Sequence, residues 1–422
     1  MITTEMTQKH PCFNEEAKHT SARVHLPVAP KCNIQCNYCN RKYDCVNESR
    51  PGVTSNILSP QQSVGYLKAL EEKMDNLNVI GIAGPGDPFA NPEQTLETMR
   101  LAHEEFPDKI FCLSTNGLNL EPYIDEIAEL NVSHVTITIN SMDVKTLAKI
   151  YKWVRLGAHI YRGEQGAKLL LDKQLACIPK LKEKGITVKI NSIIIPGINE
   201  DGIKEVARVC SELGANVINC IPLIPTADTP FAELEKPDAK MVFRVRTLAS
   251  EHLKLMSHCA RCRADAAGLL GHDMSGIHEL LEEYSSRVDM ETENRPYVAV
   301  ATNEGMLVNQ HLGEAKTLYI YKQTMNGYQF VEERDTPPLG LGDERWARLA
   351  TLLSDCRAIL VSGIGPKPSK ILKDGRVHVV EMTGLIDDGL EGIYTSKVIK
   401  SIAKQDAFKC GSRCRGTANG CG

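Results

Sequence analysis

Three cysteines carry the first recognisable chemistry in this chain. Cys32-Asn33-Ile34-Gln35-Cys36-Asn37-Tyr38-Cys39 spaces them as CxxxCxxC, with an aromatic residue before the last. Three thiolates so close in sequence can reach three irons of one cubane cluster and leave the fourth without a protein ligand. Most cysteine-ligated clusters take four cysteines, so a local triad points to an iron kept open for another molecule. A zinc knuckle is the competing reading, but structural zinc closes with four ligands from paired CxxC or Cys/His hairpins. Further thiols stand at loop positions: Cys12 in His10-Pro11-Cys12, Cys45 in Tyr43-Asp44-Cys45, and Cys259 and Cys262 as a CxxC. Cys112 falls at the active end of a strand pattern, and His25 lies on the first strand. Those five thiols and one imidazole make six ligands, enough for two more clusters with three ligands each. A lone strand histidine is more often a satisfied core residue, and Cys177, Cys210, Cys220 and Cys356, inside regular patterns, read as core thiols.

Alternating strands and helices must hold these residues. Strands are expected at 24–29, 77–83, 110–114, 134–139, 186–195 and 216–221, with helical stretches between them, as in consecutive βα units of a parallel sheet or barrel. Ser59-Pro60-Gln61-Gln62 has Ser at N-cap, Pro at N1 and Gln at N3, and Asn91-Pro92-Glu93-Gln94 is expected to cap its helix in the same manner. In such barrels the chemistry gathers at the C-terminal strand ends. The cysteine loop, Gly84-Pro85-Gly86-Asp87-Pro88, Cys112 to Gly117, Ile139-Asn140 and Ile190-Asn191 all fall there. A polar helix or linker at 276–295 leads to strands at 297–302, 306–310, 317–322, 328–332, 358–361 and 377–380, with helices at 344–353 and 369–373. The expected organisation is a cluster-ligand loop at 1–22, a barrel with its CxxC extension at 23–275, the linker, a small mixed-sheet α/β domain at 296–405 and a Cys/Gly-rich tail at 406–422. The tail's Cys410, Cys414 and Cys421 have no assigned role.

Composition narrows the class. Over 422 residues, 49 Lys+Arg against 53 Asp+Glu give a net charge of −4, so no bulk basic field argues for nucleic acid. No apolar stretch reaches membrane-spanning length, and residues 1–20 lack the apolar core of a secretory signal. Fifteen cysteines without such a signal suit metal ligands and buried thiols in a reducing compartment. The expected location is the cytoplasm.

The CxxxCx(aromatic)C stretch resembles the signature of the radical S-adenosylmethionine (SAM) enzymes. That resemblance implies a partial (βα)6 TIM-like barrel and a [4Fe-4S] cluster on Cys32, Cys36 and Cys39. The cluster's open iron chelates SAM, which is cleaved reductively to methionine and a 5′-deoxyadenosyl radical. Gly84-Pro85-Gly86-Asp87-Pro88 is a variant of the family's Gly-Gly-Glu-Pro turn. By position, Tyr38, Gly84, Gly86, Asp87, Thr138, Asn140 and Ile190 are then the expected SAM contacts.

A closer resemblance runs through His25 to Cys45, His10-Pro11-Cys12, Glu48-Ser49-Arg50-Pro51-Gly52 and Cys259 to Gly268. These stretches resemble the NifB family, radical SAM maturases of the nitrogenase iron–molybdenum cofactor. The second domain is similar to the NifX/NafY carriers, an RNase H-like α/β type. Asn309-Gln310-His311-Leu312-Gly313-Glu314-Ala315 stands at the carriers' His-containing motif, and His311 is a possible transient ligand. The resemblance implies three [4Fe-4S] clusters, one SAM-binding and two substrates called K1 and K2. The substrates are fused around a SAM-derived carbide, with one added sulfur, into the eight-iron precursor NifB-co. Cys12, His25 and Cys262 would hold K1, and Cys45, Cys112 and Cys259 would hold K2. Glu48 would move protons released from the methyl carbon. The implied partners are a ferredoxin- or flavodoxin-like reductant, an iron–sulfur donor and a carrier that accepts the product. Another radical SAM activity, of the molybdopterin-precursor cyclase type, or a non-catalytic iron–sulfur scaffold would share part of this pattern.

Overall fold

Strand alternation separates two faces of one parallel sheet, and that separation positions everything else. The computed structural model describes residues 4–42, 56–259, 263–285, 295–324 and 327–395. They divide into two compact units, Met1–Ser285 and Ser286–Gly422. The first unit is built on six parallel strands in sequential order: β1 (Ala22–His25), β2 (Leu77–Ile82), β3 (Ile110–Thr115), β4 (Val132–Thr138), β5 (Thr187–Ile194) and β6 (Val217–Pro222). The helices α1 (Pro60–Glu71), α2 (Pro92–Glu105), α3 (Ile124–Glu129) and α4 (Gly163–Glu183) return the chain between successive strands, as right-handed parallel crossovers require. Helix α5 (Ile203–Glu212) makes the last crossover, and α6 (Ala239–Ser250) follows β6. These are the six βα units expected from the spacing, in the partial (βα)6 arrangement that the resemblance implies.

Along each strand one set of alternate residues packs into a single large hydrophobic core: Val24, Ile80 and Ile82, Phe111 and Leu113, Val135 and Ile137, Val188 and Ile190, Ile218. The other set is mostly polar: His25, Gly81, Cys112, Ser114, His134, Thr136, Lys189, Asn191 and Asn219. Parallel sheets usually bury apolar side chains on both faces. Here the inner face is kept for other chemistry.

Several expectations change in detail. Residues 1–22 contain a short helix, Thr4–Lys9, and a 3-10 turn, Glu16–His19, because His10, Phe13 and Ala17 are buried and fold the segment back on the sheet. The segment 276–295 begins with a helix, Ile277–Ser285, whose Ile277, Leu280 and Leu281 are buried in the first unit. The capping box at Ser59 is present with both reciprocal bonds. Asn91, by contrast, makes no cap hydrogen bond to α2. Its side chain is engaged elsewhere.

The second unit has the mixed sheet expected of an RNase H-like domain. Strands β7 (Tyr297–Val300), β8 (Thr317–Thr324) and β9 (Gly327–Asp335) form an antiparallel meander, and β10 (Cys356–Val361) and β11 (His378–Glu381) run parallel to β7, in the order β9-β8-β7-β10-β11. Two cores line its faces, one around Trp346 and Ile359 and one around Val298 and Leu390. The strand expected at 306–310 shrinks to Leu307–Val308, paired only with Gly384–Leu385. Among the described residues no helix is long and apolar enough to cross a membrane.

Candidate active site

The cysteine loop is held by a backbone seam and by side-chain bonds to its peptide groups. Gly86 N–H donates to Ala29 O at 2.6 Å and Asp87 N–H to Lys31 O at 2.8 Å. The Asn91 amide closes the same seam, accepting from Lys31 N at 3.2 Å and donating to Lys31 O at 2.9 Å. This is why Asn91 leaves its helix uncapped: two bonds to the loop replace one to the helix. A Cβ added at Gly86 would overlap the Lys31 carbonyl and lie 2.8 Å from Ala29 O, so the approach is open only to glycine. Within the loop the Gln35 side chain donates to the carbonyls of Cys36 and Cys39, and Arg41 donates to those of Pro30 and Pro85.

Cys32, Cys36 and Cys39 line one cleft with Arg41, Gly86, Asp87, Ser114, Thr115 and Asn116. Burial, and then the Asp87 carboxylate, push the Cys32 thiol up to about 12. Burial also raises Cys39, against the opposing pull of Arg41. Thiols so perturbed keep their protons at neutral pH until a cation displaces them, as iron does when it binds. Beside Cys32, Asn116 Nδ2 donates to Asn33 Oδ1 at 2.7 Å and lies 3.9 Å from the Cys32 sulfur. Asn33 Nδ2 is buried with no partner. Three thiols and an orphaned amide donor fit an iron–sulfur cluster, whose sulfides accept hydrogen bonds. Among the described residues no three His, Cys, Asp or Glu side chains close on a single ion; a cubane instead asks each thiolate for a separate iron.

The expected SAM contacts divide. Gly86 and Asp87 line the cleft. Asp87 is 3% exposed and burial raises its carboxyl. It accepts from Phe89 N, Thr115 Oγ1 and Asn116 N, and so ties the turn to the end of β3. Gly84 O accepts from Ala29 N. Tyr38, Thr138, Asn140 and Ile190 are fully buried and do not line the cleft; Ile190 packs in the apolar core on the other face of the sheet. Asn140 Nδ2 donates to the hydroxyls of Tyr38 and Tyr151, and its Oδ1 accepts from Ile193 N. Thr115 and Asn116 belong to the strand-end stretch Cys112 to Gly117 that the sequence marks, whereas Asn33 carries no signal beyond its place in the cysteine loop and Asn91 reads only as a helix cap.

The candidate substrate ligands fall into two groups. Register aligns His25 with Gly81 and Gly81 with Cys112 across β1, β2 and β3. A Cβ on Gly81 would stand 2.8 Å from the Cys112 sulfur and 3.3 Å from His25 Cδ2, so both lean over the one position without a side chain. Cys112 is the third of six residues in β3. It is therefore inside the sheet rather than at the strand end, because the strand continues through Ser114 and Thr115. His25 Nδ1 donates to Arg263 O at 2.9 Å, which leaves Nε2 bare on the opposite ring edge. Metal-ligating histidines use that arrangement. Desolvation lowers His25 to about 4, so the ring is neutral at physiological pH.

Cys12 and Cys259 both pack against the cluster of Phe13, Val217 and Met256 near the start of β6. His10 and His134 flank it, with ring centroids 4.5 Å apart and each within 5 Å of the Phe13 ring. Lys189 Nζ lies 5.5 Å from the Phe13 centroid. Both His134 nitrogens have hydroxyl partners, Ser133 Oγ and Thr7 Oγ1. Cys45, Glu48, Cys262, Cys410, Cys414 and Cys421 lie outside the described residues. In the second unit His311 Nδ1 accepts from Gly313 N, and its backbone bridges to Gly363.

Residues 26–210 match the Radical SAM superfamily, and residues 294–396 match the family described as Dinitrogenase iron-molybdenum cofactor. The chain is 47% identical over 418 residues to the FeMo cofactor biosynthesis protein NifB of Chlorobaculum tepidum, covering 98% of this chain and 99% of that one. It is 39% identical to that of Klebsiella pneumoniae, over 87% and 86% of the two chains, and 38% identical to that of Azotobacter vinelandii, over 93% and 88%. Among solved structures, Streptococcus suis SuiB bound to S-adenosylmethionine is 15% identical, with a TM-score of 0.41 over 57% of this chain and 52% of its own. With the thiol cleft, the six-stranded parallel sheet and the second unit accounted for, the chain belongs to the NifB family of radical SAM proteins of FeMo cofactor biosynthesis.

Proposed function

We propose that this protein is a carbide synthase, fusing two [4Fe-4S] substrate clusters with a SAM-derived carbon and an added sulfur into the eight-iron cofactor precursor. One observation carries the reading beyond the family: His25 and Cys112 face each other across Gly81 on a polar inner sheet face. A simple SAM-cleaving enzyme has no need of a thiol and a bare imidazole nitrogen facing one side-chain-free position.

When bound by Cys32, Cys36 and Cys39, the resident cluster supplies the electron that cleaves SAM. The surrounding residues orient and shield. Asn116 and Asn33 offer amide donors beside Cys32, and the Gly86–Asp87 seam fixes the loop against β3. The resemblance divides the substrate ligands into Cys12, His25 and Cys262 against Cys45, Cys112 and Cys259. Proximity favours another division: His25 with Cys112 on one cluster, Cys12 with Cys259 on the other. A neutral imidazole ligand is more readily exchanged than a thiolate, which suits a product that must leave. Cys45, Cys262 and a proton-carrying Glu48 complete the proposal from outside the described residues.

The test is iron content after anaerobic reconstitution, followed by reaction with methyl-labelled SAM. Three cubanes predict about twelve irons per chain and label retained on the clusters. About four irons, with SAM still cleaved, would make this a different radical enzyme. Twelve irons without SAM cleavage would make it a scaffold.

A further inference from the structure

Two histidines, the candidate ligand His25 and the buried His10, hold their protons on opposite nitrogens. His25 gives its Nδ1 proton to Arg263 O and so offers a lone pair at Nε2. His10 does the reverse. Its Nδ1 accepts the Cys12 backbone N–H at 3.1 Å, so in the neutral ring the proton sits on Nε2. That Nε2 is buried, has no hydrogen-bond partner among the described residues, and belongs to a residue 2% exposed. An orphaned buried donor is destabilising, and the great majority of buried polar groups are paired. His10 is held rigidly in this position. It contacts Phe13 edge-on at 4.8 Å and His134 at 4.5 Å, and its carbonyl accepts from Phe13 N and Asn14 N.

We propose that His10 is a positioning residue whose Nε2–H donates to an inorganic sulfide of the substrate cluster held by Cys12. The inference rests on the substrate-cluster reading above and extends it. The same ring caps the Cys12 backbone on one edge and presents a donor on the other, so ligand and donor are fixed as one unit. Sulfide becomes a stronger acceptor as a cluster is reduced, so such a donor favours the reduced form and raises the reduction potential. A second imidazole ligand would need the opposite tautomer, which the Cys12 N–H disfavours.

The two edges can be separated by substitution. His10→Asn retains an acceptor at the Nδ1 position and loses the distal donor; His10→Gln retains a donor near Nε2 and loses the cap. The full chain carrying Cys32→Ala, Cys36→Ala and Cys39→Ala isolates the substrate clusters. Their reductive titration is then followed by electron paramagnetic resonance in the three His10 backgrounds, with iron counted in each. The expected result is a lower midpoint potential in H10N, with iron content held, and a potential near that of His10 in H10Q. A purely structural His10 gives the opposite ranking, with H10N unchanged and H10Q losing iron, and overturns the proposal. Absence of clusters from the background that retains His10 would overturn the substrate-cluster reading itself.

Discussion

Replacing Gly86 with alanine tests whether the cysteine loop is set by backbone packing. The new Cβ would overlap Lys31 O and lie 2.6 Å from Lys31 C and 2.8 Å from Ala29 O. These are backbone atoms on the segment leading into Cys32, so no flexible side chain can yield. Restoring ordinary van der Waals contact requires the seam to open by roughly 0.6 Å at Ala29 and more at Lys31. Opening it weakens two hydrogen bonds, Gly86 N to Ala29 O and Asp87 N to Lys31 O, each worth about 1 kcal/mol net. With the overpacking of one methyl, the expected loss of stability is about 3 kcal/mol. The functional loss is larger, since a displacement near 1 Å at a reacting centre costs about a hundredfold. The assay is 5′-deoxyadenosine formation from SAM under strong reductant, read against iron content and thermal unfolding of the apoprotein. G86A with unchanged cleavage and unchanged unfolding would refute the argument that this contact sets the loop.

Gly81→Ala introduces a methyl between Cys112 and His25; iron content should fall by about four per chain while SAM cleavage persists, and full loading would exclude a cluster at that position. Asn140→Ala removes three hydrogen bonds among fully buried groups, for an expected loss of about 3 kcal/mol in urea unfolding, and an unshifted midpoint would contradict its bracing role. His134 is lowered to about 3, chiefly by burial. It therefore stays neutral in the native apoprotein while the unfolded chain gains a proton below about 6.5. Its contribution is complete above that pH and declines as pH falls toward the native value, by about 2 kcal/mol at pH 5. The apoprotein's unfolding free energy should fall over that range less steeply in H134Q, and identical slopes would show that His134 is not the titrating group.

Local signals were the legible ones. The cysteine triad, the Ser59 capping box and the alternation of strand and helix each depend on neighbours within a few residues. Asn91 was misread because Asn before Pro-Glu is a good N-cap, and nothing local reveals a competing peptide at Lys31, sixty residues away. Cys112 reads from the sequence as a strand-end thiol, whereas β3 runs on through Ser114 and Thr115 and leaves it inside the sheet. Gly81 carries no local signal. Its meaning comes from two other strands, whose register no single stretch encodes. Asn116, in a Thr-Asn-Gly sequence, reads as a turn residue until the folded chain brings it against Cys32.

The two-faced sheet of the first unit also bears on turnover. Its main apolar core is formed between the strands' outer faces and the helices, while the inner face carries imidazoles, thiols, amides and a lysine. Most of the apolar burial that drives folding therefore lies away from the polar inner face. Under the proposed function, filling the interior with metal and sulfur and emptying it again would leave that layer intact. A structural zinc domain collapses when its metal departs; this sheet would instead serve as a reusable vessel, each delivery of product followed by another charge without refolding.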